Sequence, residues 1–337
     1  MGSLGTTPRR LISLLVWLSS SLAVLHASAQ PVLANTRKPS DYKLAETALL
    51  QGRLDEAITR SQGLITANPA DAPSRLLLCR ALYAEELIDD AVTACEAAQE
   101  RAPNNSVIED WLGRAYGRKA DHAGPISGFQ LARRVRDTFE ASVQHDPHNG
   151  DAVNDLSEYY INAPAMVGGG LDKADALADR SIAQLPQQAH RTRALAAEKR
   201  RDFDTAEREF RAAVNVAQRP EAWVDLGAFY KRRNVGDKAV DALRHSLDAD
   251  HLHDASIVDA AIILDEMHRE PRLAEQTLRL YLSSDAKSDA APTPMVHMLL
   301  AKELTEAGDK PGAKIEVEAA LALAQRYPPA RRAIRDL

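Results

Sequence analysis

The sequence predicts an all-α protein, an α-solenoid of about eight helical hairpins, and three observations carry that prediction. In EAWVDLGAFYKRRNVGDKAVDALRHSLDAD, residues 221–250, Trp223, Leu226, Gly227 and Tyr230 share one helical face; Ala239, Leu243 and Ser246 share another after a short polar break. Looser copies of this stretch fill most of residues 41–325. Their alanine-like position falls at 57, 91, 135, 174, 206, 239, 274 and 313, in steps of 32 to 44 residues. The composition is 45% hydrophobic but only 5% aromatic, with alanine supplying much of the apolar count, as close helix packing through small residues requires. One hairpin cannot bury its own apolar stripe, so the copies must stack.

Residues 1–29 read as a signal peptide. Arg9 and Arg10 precede an uncharged run from Leu11 to Leu25, and Ala27-Ser28-Ala29 offers small residues before a cut near Ala29. That run, about 15 residues, is short of the roughly 20 that span a bilayer, and no later run is long and apolar enough. The expectation is export to the periplasm or beyond the cell, with no membrane span after cleavage. Residues 30–40 form a polar, proline-bearing linker.

The first hairpin begins near Asp41, with Leu44 and Ala45, then Ala57 and Leu64, and Pro69 closing it. The second repeats the offsets with Leu78, Cys79 and Leu82, then Ala91, Cys95 and Ala98, then Pro103. Cys79 and Cys95, the only cysteines, lie equally far from the turn at Leu87 and face the hairpin interior. Either a disulfide or two thiols packing like alanine fits that placement. The third unit runs from Leu112, Gly113 and Tyr116 to Phe139, Ser142 and Pro147; its extra residues, near 118–128, are expected to lengthen and break the first helix. The fourth has Leu156, Ser157 and Tyr160, then Ala174 and Ala178, with a second insertion at 163–170, APAMVGGG, whose Gly168-Gly169-Gly170 is read as a flexible turn. Both insertions separate first from second helices, so Met166, Gly168, Gly169 and Gly170 belong to one candidate loop edge. The fifth unit shows Ala206, Phe210 and Ala213, with Arg193 at a leucine-like position; the seventh, Ala274, Leu278 and Tyr281 after Pro271 at a helix start. The eighth carries Leu300, Ala301 and Leu304, then Ala313, Val317 and Ala320, and residues 326–337 are left as a basic capping segment.

The pattern W-x2-L-G-x2-Y followed by A-x3-L-x2-S resembles the tetratricopeptide repeat, whose period is about 34 residues. NDLSEYYIN and APAMVGGGLDKADALAD look similar to a loop-bearing repeat of exported bacterial members of unassigned role. The resemblance implies a right-handed superhelix whose first helices line a concave surface, and a non-enzymatic scaffold that binds a peptide or protein there or on the loop edge. The alternative it leaves open is an accessory or carrier subunit of an outer-membrane, secretion or transport assembly that also contacts a small molecule or lipid. Mapped onto this chain, the inner-face positions are Arg80, Arg114, Asn154, Glu158, Asn162, Arg191, Glu198 and Lys231, a polar set of mixed sign. Self-association through that face is also open.

Chemistry finds little support. The formal net charge is −6, and losing Arg9 and Arg10 takes it to −8, which argues against a nucleic-acid binder. His245, His251 and His253 with Asp250 and Asp254 are the densest potential ligands, but no thiol cluster or HExxH pattern supports a metal. Gly168-Gly169-Gly170 lacks a Walker lysine, and no nucleophile or acid–base constellation is evident. No catalytic residue, metal or cofactor is assigned.

Overall fold

The computed structural model describes residues 40–336; the expected signal peptide and the linker up to residue 39 lie outside them. The described residues form 17 α-helices and no strand. Sixteen pair into eight antiparallel hairpins. They are α1 (Asp41–Leu50) with α2 (Leu54–Ala67), α3 (Ala72–Ala84) with α4 (Ile88–Arg101), α5 (Ser106–Ala120) with α6 (Pro125–His145), and α7 (Gly150–Asn162) with α8 (Leu171–Ser181). After these come α9 (Pro186–Lys199) with α10 (Phe203–Ala217), α11 (Pro220–Arg232) with α12 (Gly236–Ala249), α13 (Ala255–Glu266) with α14 (Pro271–Ser283), and α15 (Thr293–Glu306) with α16 (Lys310–Leu323). The last helix, α17 (Pro328–Asp336), packs on α16.

The repeated small residues are what let the paired helices approach. Ala57, Ala91, Ala174, Ala206, Ala239, Ala274 and Ala313 each sit on the second helix of a hairpin and are at most 1% exposed. Gly113 faces Phe139 so closely that a Cβ there would collide with the ring. Between hairpins, tyrosines at the repeat's Tyr position donate to a glutamate on the preceding second helix: Tyr116 to Glu96 at 2.6 Å, Tyr160 to Glu140 at 2.8 Å and Tyr230 to Glu207 at 2.6 Å. Cys79 and Cys95 are joined by a disulfide within the second hairpin, both fully buried and 5.1 Å apart at Cα.

The six hairpin turns without insertions each carry a residue in the left-handed region: Gly52, Glu86, Arg201, Asn234, His268 and Gly308. That conformation reverses the chain within a few residues and favours glycine, yet four of the six carry a side chain. The two turns with insertions are built differently. In the third hairpin the expectation of a long, broken first helix is wrong: α5 has 15 residues and ends at Ala120, whereas α6 has 21. Pro125 starts a helix rather than interrupting one, because an N1 proline gives up an N–H that would have no partner.

The 163–170 segment is likewise a built loop, not a flexible turn. Ala165–Val167 form one 3-10 turn, Val167 is buried, and Tyr159 Oη lies 2.9 Å from the Val167 carbonyl and 2.7 Å from that of Ala132 in α6. Gly168 has φ +98°, and a Cβ on Gly169 would collide with the Ala163 carbonyl. Where a closing proline is missing after α12, the buried Asp250 carboxylate instead accepts the N–H groups of Leu252, His253 and Asp254 at 2.8–2.9 Å.

The solenoid closes on itself. Arg80 on α3 grips Asp289 in the segment before α15 at 2.7 and 2.9 Å; Thr293 Oγ1 donates to the Gln51 carbonyl at 3.2 Å. The turn after α16 reaches the opposite end, Gln325 N–H to Asp55 at 2.9 Å and Arg326 N–H to the fully buried Glu85 at 3.0 Å.

Candidate functional site

The first helices supply a continuous groove. Three recesses of about 500, 260 and 500 Å³ run along them and share walls: Glu158 belongs to all three, Arg191 and Asp225 to two, Arg114 and Asp155 to two. A ladder of ion pairs joins successive first helices from α5 to α13. Arg114 on α5 reaches Asp155 on α7 at 2.5 Å; Arg191 on α9 holds Glu158 on α7 at 2.6 Å and Asp225 on α11 at 2.9 Å. Arg232 on α11 takes Glu198 on α9 through two bonds of 2.8 Å, and Lys231 pairs with Glu266 on α13. Asn162 lies 3.4 Å from Lys199, and Asn154 turns its side-chain oxygen inward without a hydrogen-bond donor.

The eight inner-face positions named from the sequence are thereby placed. Arg80 is drawn into the closure with Asp289, and the other seven lie along the ladder. Their cations are engaged within the chain: Arg114 and Arg191 are held by two or more carboxylates each. Burial lowers the basicity of both guanidiniums, but those carboxylates more than reverse it, so both stay protonated. Sequence reasoning missed the acids. Asp151, Asp155, Glu221, Asp225 and Asp259 sit beside the named positions, and acids outnumber bases eight to five along the groove. Asp151 and Asp155 lie within one helical turn of Asn154 and Glu158, whereas Asp259 lies on α13, where no position was named.

The surplus of acid shows in the carboxyls. Burial, with Asp155 and Asp151 nearby, raises Asp110 to about 8 against the pull of Arg114, so at neutral pH it keeps a proton and shares it with Asp155. Loss of surrounding water between the groove walls, and then the Asp225, Asp254 and Glu221 charges, raise Asp259 to about 6, although its side chain itself is solvent-accessible. Asp259 makes no ion pair among the described residues.

The other candidates do not assemble. His245 stacks on Trp223 with ring centroids 4.7 Å apart and bonds the Asp241 carbonyl, and no group of three potential metal ligands occurs among the described residues. On the loop edge Met166 is 76% exposed, while Lys173 donates to the Gly168 carbonyl at 2.8 Å. No described helix is long and apolar enough to cross a membrane.

Residues 48–110, the end of α1 through the start of α5, match a family model described as tetratricopeptide repeat. The matched segment is a tetratricopeptide repeat region. The helix-pair phase found in the matched segment continues through Ala313, so the tetratricopeptide architecture extends over all eight hairpins. Solved structures with likeness to it include the APC/C hetero-tetramer Cut9-Hcn1 (13% identity, 87% of this chain and 54% of that one, TM-score 0.40). TTC0263, a thermophilic TPR protein of Thermus thermophilus, aligns at 16% identity over 72% of this chain and 97% of its own, TM-score 0.43. YrrB, a TPR protein described as having an unusual peptide-binding site, aligns at 17% over 57% and 93%, TM-score 0.36. The chain thus spans about half of the Cut9-Hcn1 chain it aligns with. No curated protein matches the sequence.

Proposed function

We propose that this tetratricopeptide protein is a non-enzymatic interaction scaffold of the cell envelope that holds an extended segment of a partner protein along its inner groove. The tetratricopeptide fold supports a protein or peptide partner, and the N-terminal sequence supports export. One observation gives the segment its character: the groove has an excess of three acids, and its four arginines are all committed to internal ion pairs. A basic segment fits that field, because eight carboxylates share five cations along the groove and one of them, Asp259, makes no ion pair among the described residues.

Fluorescence anisotropy with labelled nine-residue peptides of strongly positive, zero and strongly negative charge tests the reading. The positive peptide is expected to bind, more weakly as salt rises, and to lose affinity to Asp151→Lys and Asp259→Lys, both exposed positions. Equal binding of the three peptides, or binding unaffected by either variant, overturns the basic-segment assignment. A thermal shift with phospholipid micelles and none with any peptide transfers the groove to the carrier reading.

A further inference from the structure

A second recess, of about 420 Å³, opens between the seventh and eighth hairpins at the edge where first helices turn into second ones. Leu264, Pro271 and Ala307 give it apolar walls, and two carboxyls, Asp265 on α13 and Glu303 on α15, meet there. It shares no lining residue with the groove.

The two carboxyls are treated very differently. Lys302 holds both oxygens of Asp265 at 2.7 Å and reaches Glu306 at 3.0 Å. Glu303 is 8% exposed, yet among the described residues no Lys or Arg nitrogen comes within ion-pair distance of it and no N–H or O–H donates to it. Its polar neighbour is the Asp265 carboxyl, to which protonated Glu303 donates a hydrogen bond, and burial followed by that bond raises Glu303 to about 7; it is the ionised form that has no partner. The comparable pair in the groove, Asp110 with Asp155, is bridged by Arg114 at 3.0 and 2.5 Å. Of the other charged residues that line it, Arg269 pairs with Asp237 and Glu275 with Arg279, while Arg272 and His268 make no ion pair with Glu303 among the described residues.

We propose that this recess is a binding site for an alkyl-linked cation, the side chain of a lysine or arginine on a partner protein. Its methylenes lie against Leu264, Pro271 and Ala307 and its charge meets Glu303. A buried carboxylate without a donor is costly, and an ammonium or guanidinium supplies both the donor and the countercharge. The apolar walls select an organic cation, and no described group of three ligands offers a metal site. The recess stands apart from the groove, so a negative result with groove peptides leaves it intact.

The test is a carboxyl-carbon NMR titration of Glu303 in the full chain, assigned with Glu303→Gln, with n-butylamine and n-butylguanidine as probes and n-butanol as the neutral control at constant ionic strength. A probe that binds the ionised carboxylate is expected to lower the Glu303 midpoint by about one pH unit at ten times its Kd. Glu303→Gln is expected to abolish the probe-induced shifts of α13 and α15 amides, and Asp265→Asn to lower the midpoint before any probe is added. Three results overturn the proposal: a midpoint unmoved by either cation, one moved equally by butanol, or amide shifts that persist in Glu303→Gln.

Discussion

Removing the Arg326 side chain tests whether the closure of the solenoid contributes to its stability. Glu85, at the turn after α3, is fully buried, and its carboxylate accepts the Arg326 backbone N–H at 3.0 Å and its guanidinium at 3.2 Å, 241 residues away in sequence. Taking one partner from a buried ion pair costs about 3–5 kcal/mol. Here the arginine is half exposed and its backbone N–H survives substitution by alanine, which brings the expectation to about 2 kcal/mol. Burial raises Glu85 and Arg326 holds it down, so the variant raises it further. A raised carboxyl contributes stability that is present at low pH and lost as pH rises through its folded value. Arg326→Ala is therefore expected to lose more stability at pH 8 than at pH 5. Urea unfolding at both pH values gives the free energies, and hydrogen exchange is expected to quicken in α1–α4 while α9–α12 stay protected. Glu85→Gln in the Arg326→Ala background is expected to restore part of the loss. A cost below about 0.5 kcal/mol, or one independent of pH, refutes the reasoning.

Four further outcomes follow from the same geometry. Leu226, 1% exposed, is expected to cost about 2–5 kcal/mol on replacement by alanine, read from the denaturation midpoint. Arg201 occupies a left-handed turn position at φ 66° with an exposed side chain, so Arg201→Gly is expected to stabilise by up to about 1 kcal/mol in the same assay. Asp110, raised to about 8, and Glu303, raised to about 7, retain protons that the unfolded chain releases; melting temperature is expected to fall from pH 5 to pH 8.5, and Asp110→Asn to flatten that fall. Replacing Cys79 and Cys95 by serine opens a link spanning 16 residues and is expected to cost about 3 kcal/mol, read by calorimetry against the oxidised protein.

What the amino-acid sequence determined by itself was the repeating unit. The positions 57, 91, 174, 206, 239, 274 and 313 are alanines on second helices because two helices touching at short range demand a small side chain there, and that demand is local and periodic. Trp223, Leu226 and Tyr230 were legible for the same reason. The insertions were visible as breaks in phase, but not where their residues would go. Whether Pro125 ends α5 or opens α6 depends on what a longer α6 packs against, and the 163–170 loop is fixed by Tyr159 on α7 and Arg136 on α6, which both donate to the Val167 carbonyl. The inner-face positions were legible as a polar set of mixed sign, but not the partners that hold their charges. Arg80, Arg114 and Arg191 are bound to Asp289, Asp155 and Asp225, partners 209, 41 and 34 residues away. Pairings at that distance follow from the rotation accumulated hairpin by hairpin, and so does the meeting of Arg326 with Glu85. No local pattern encodes that sum; only the stacked structure brings the charges together and decides which acids of the groove remain for a partner.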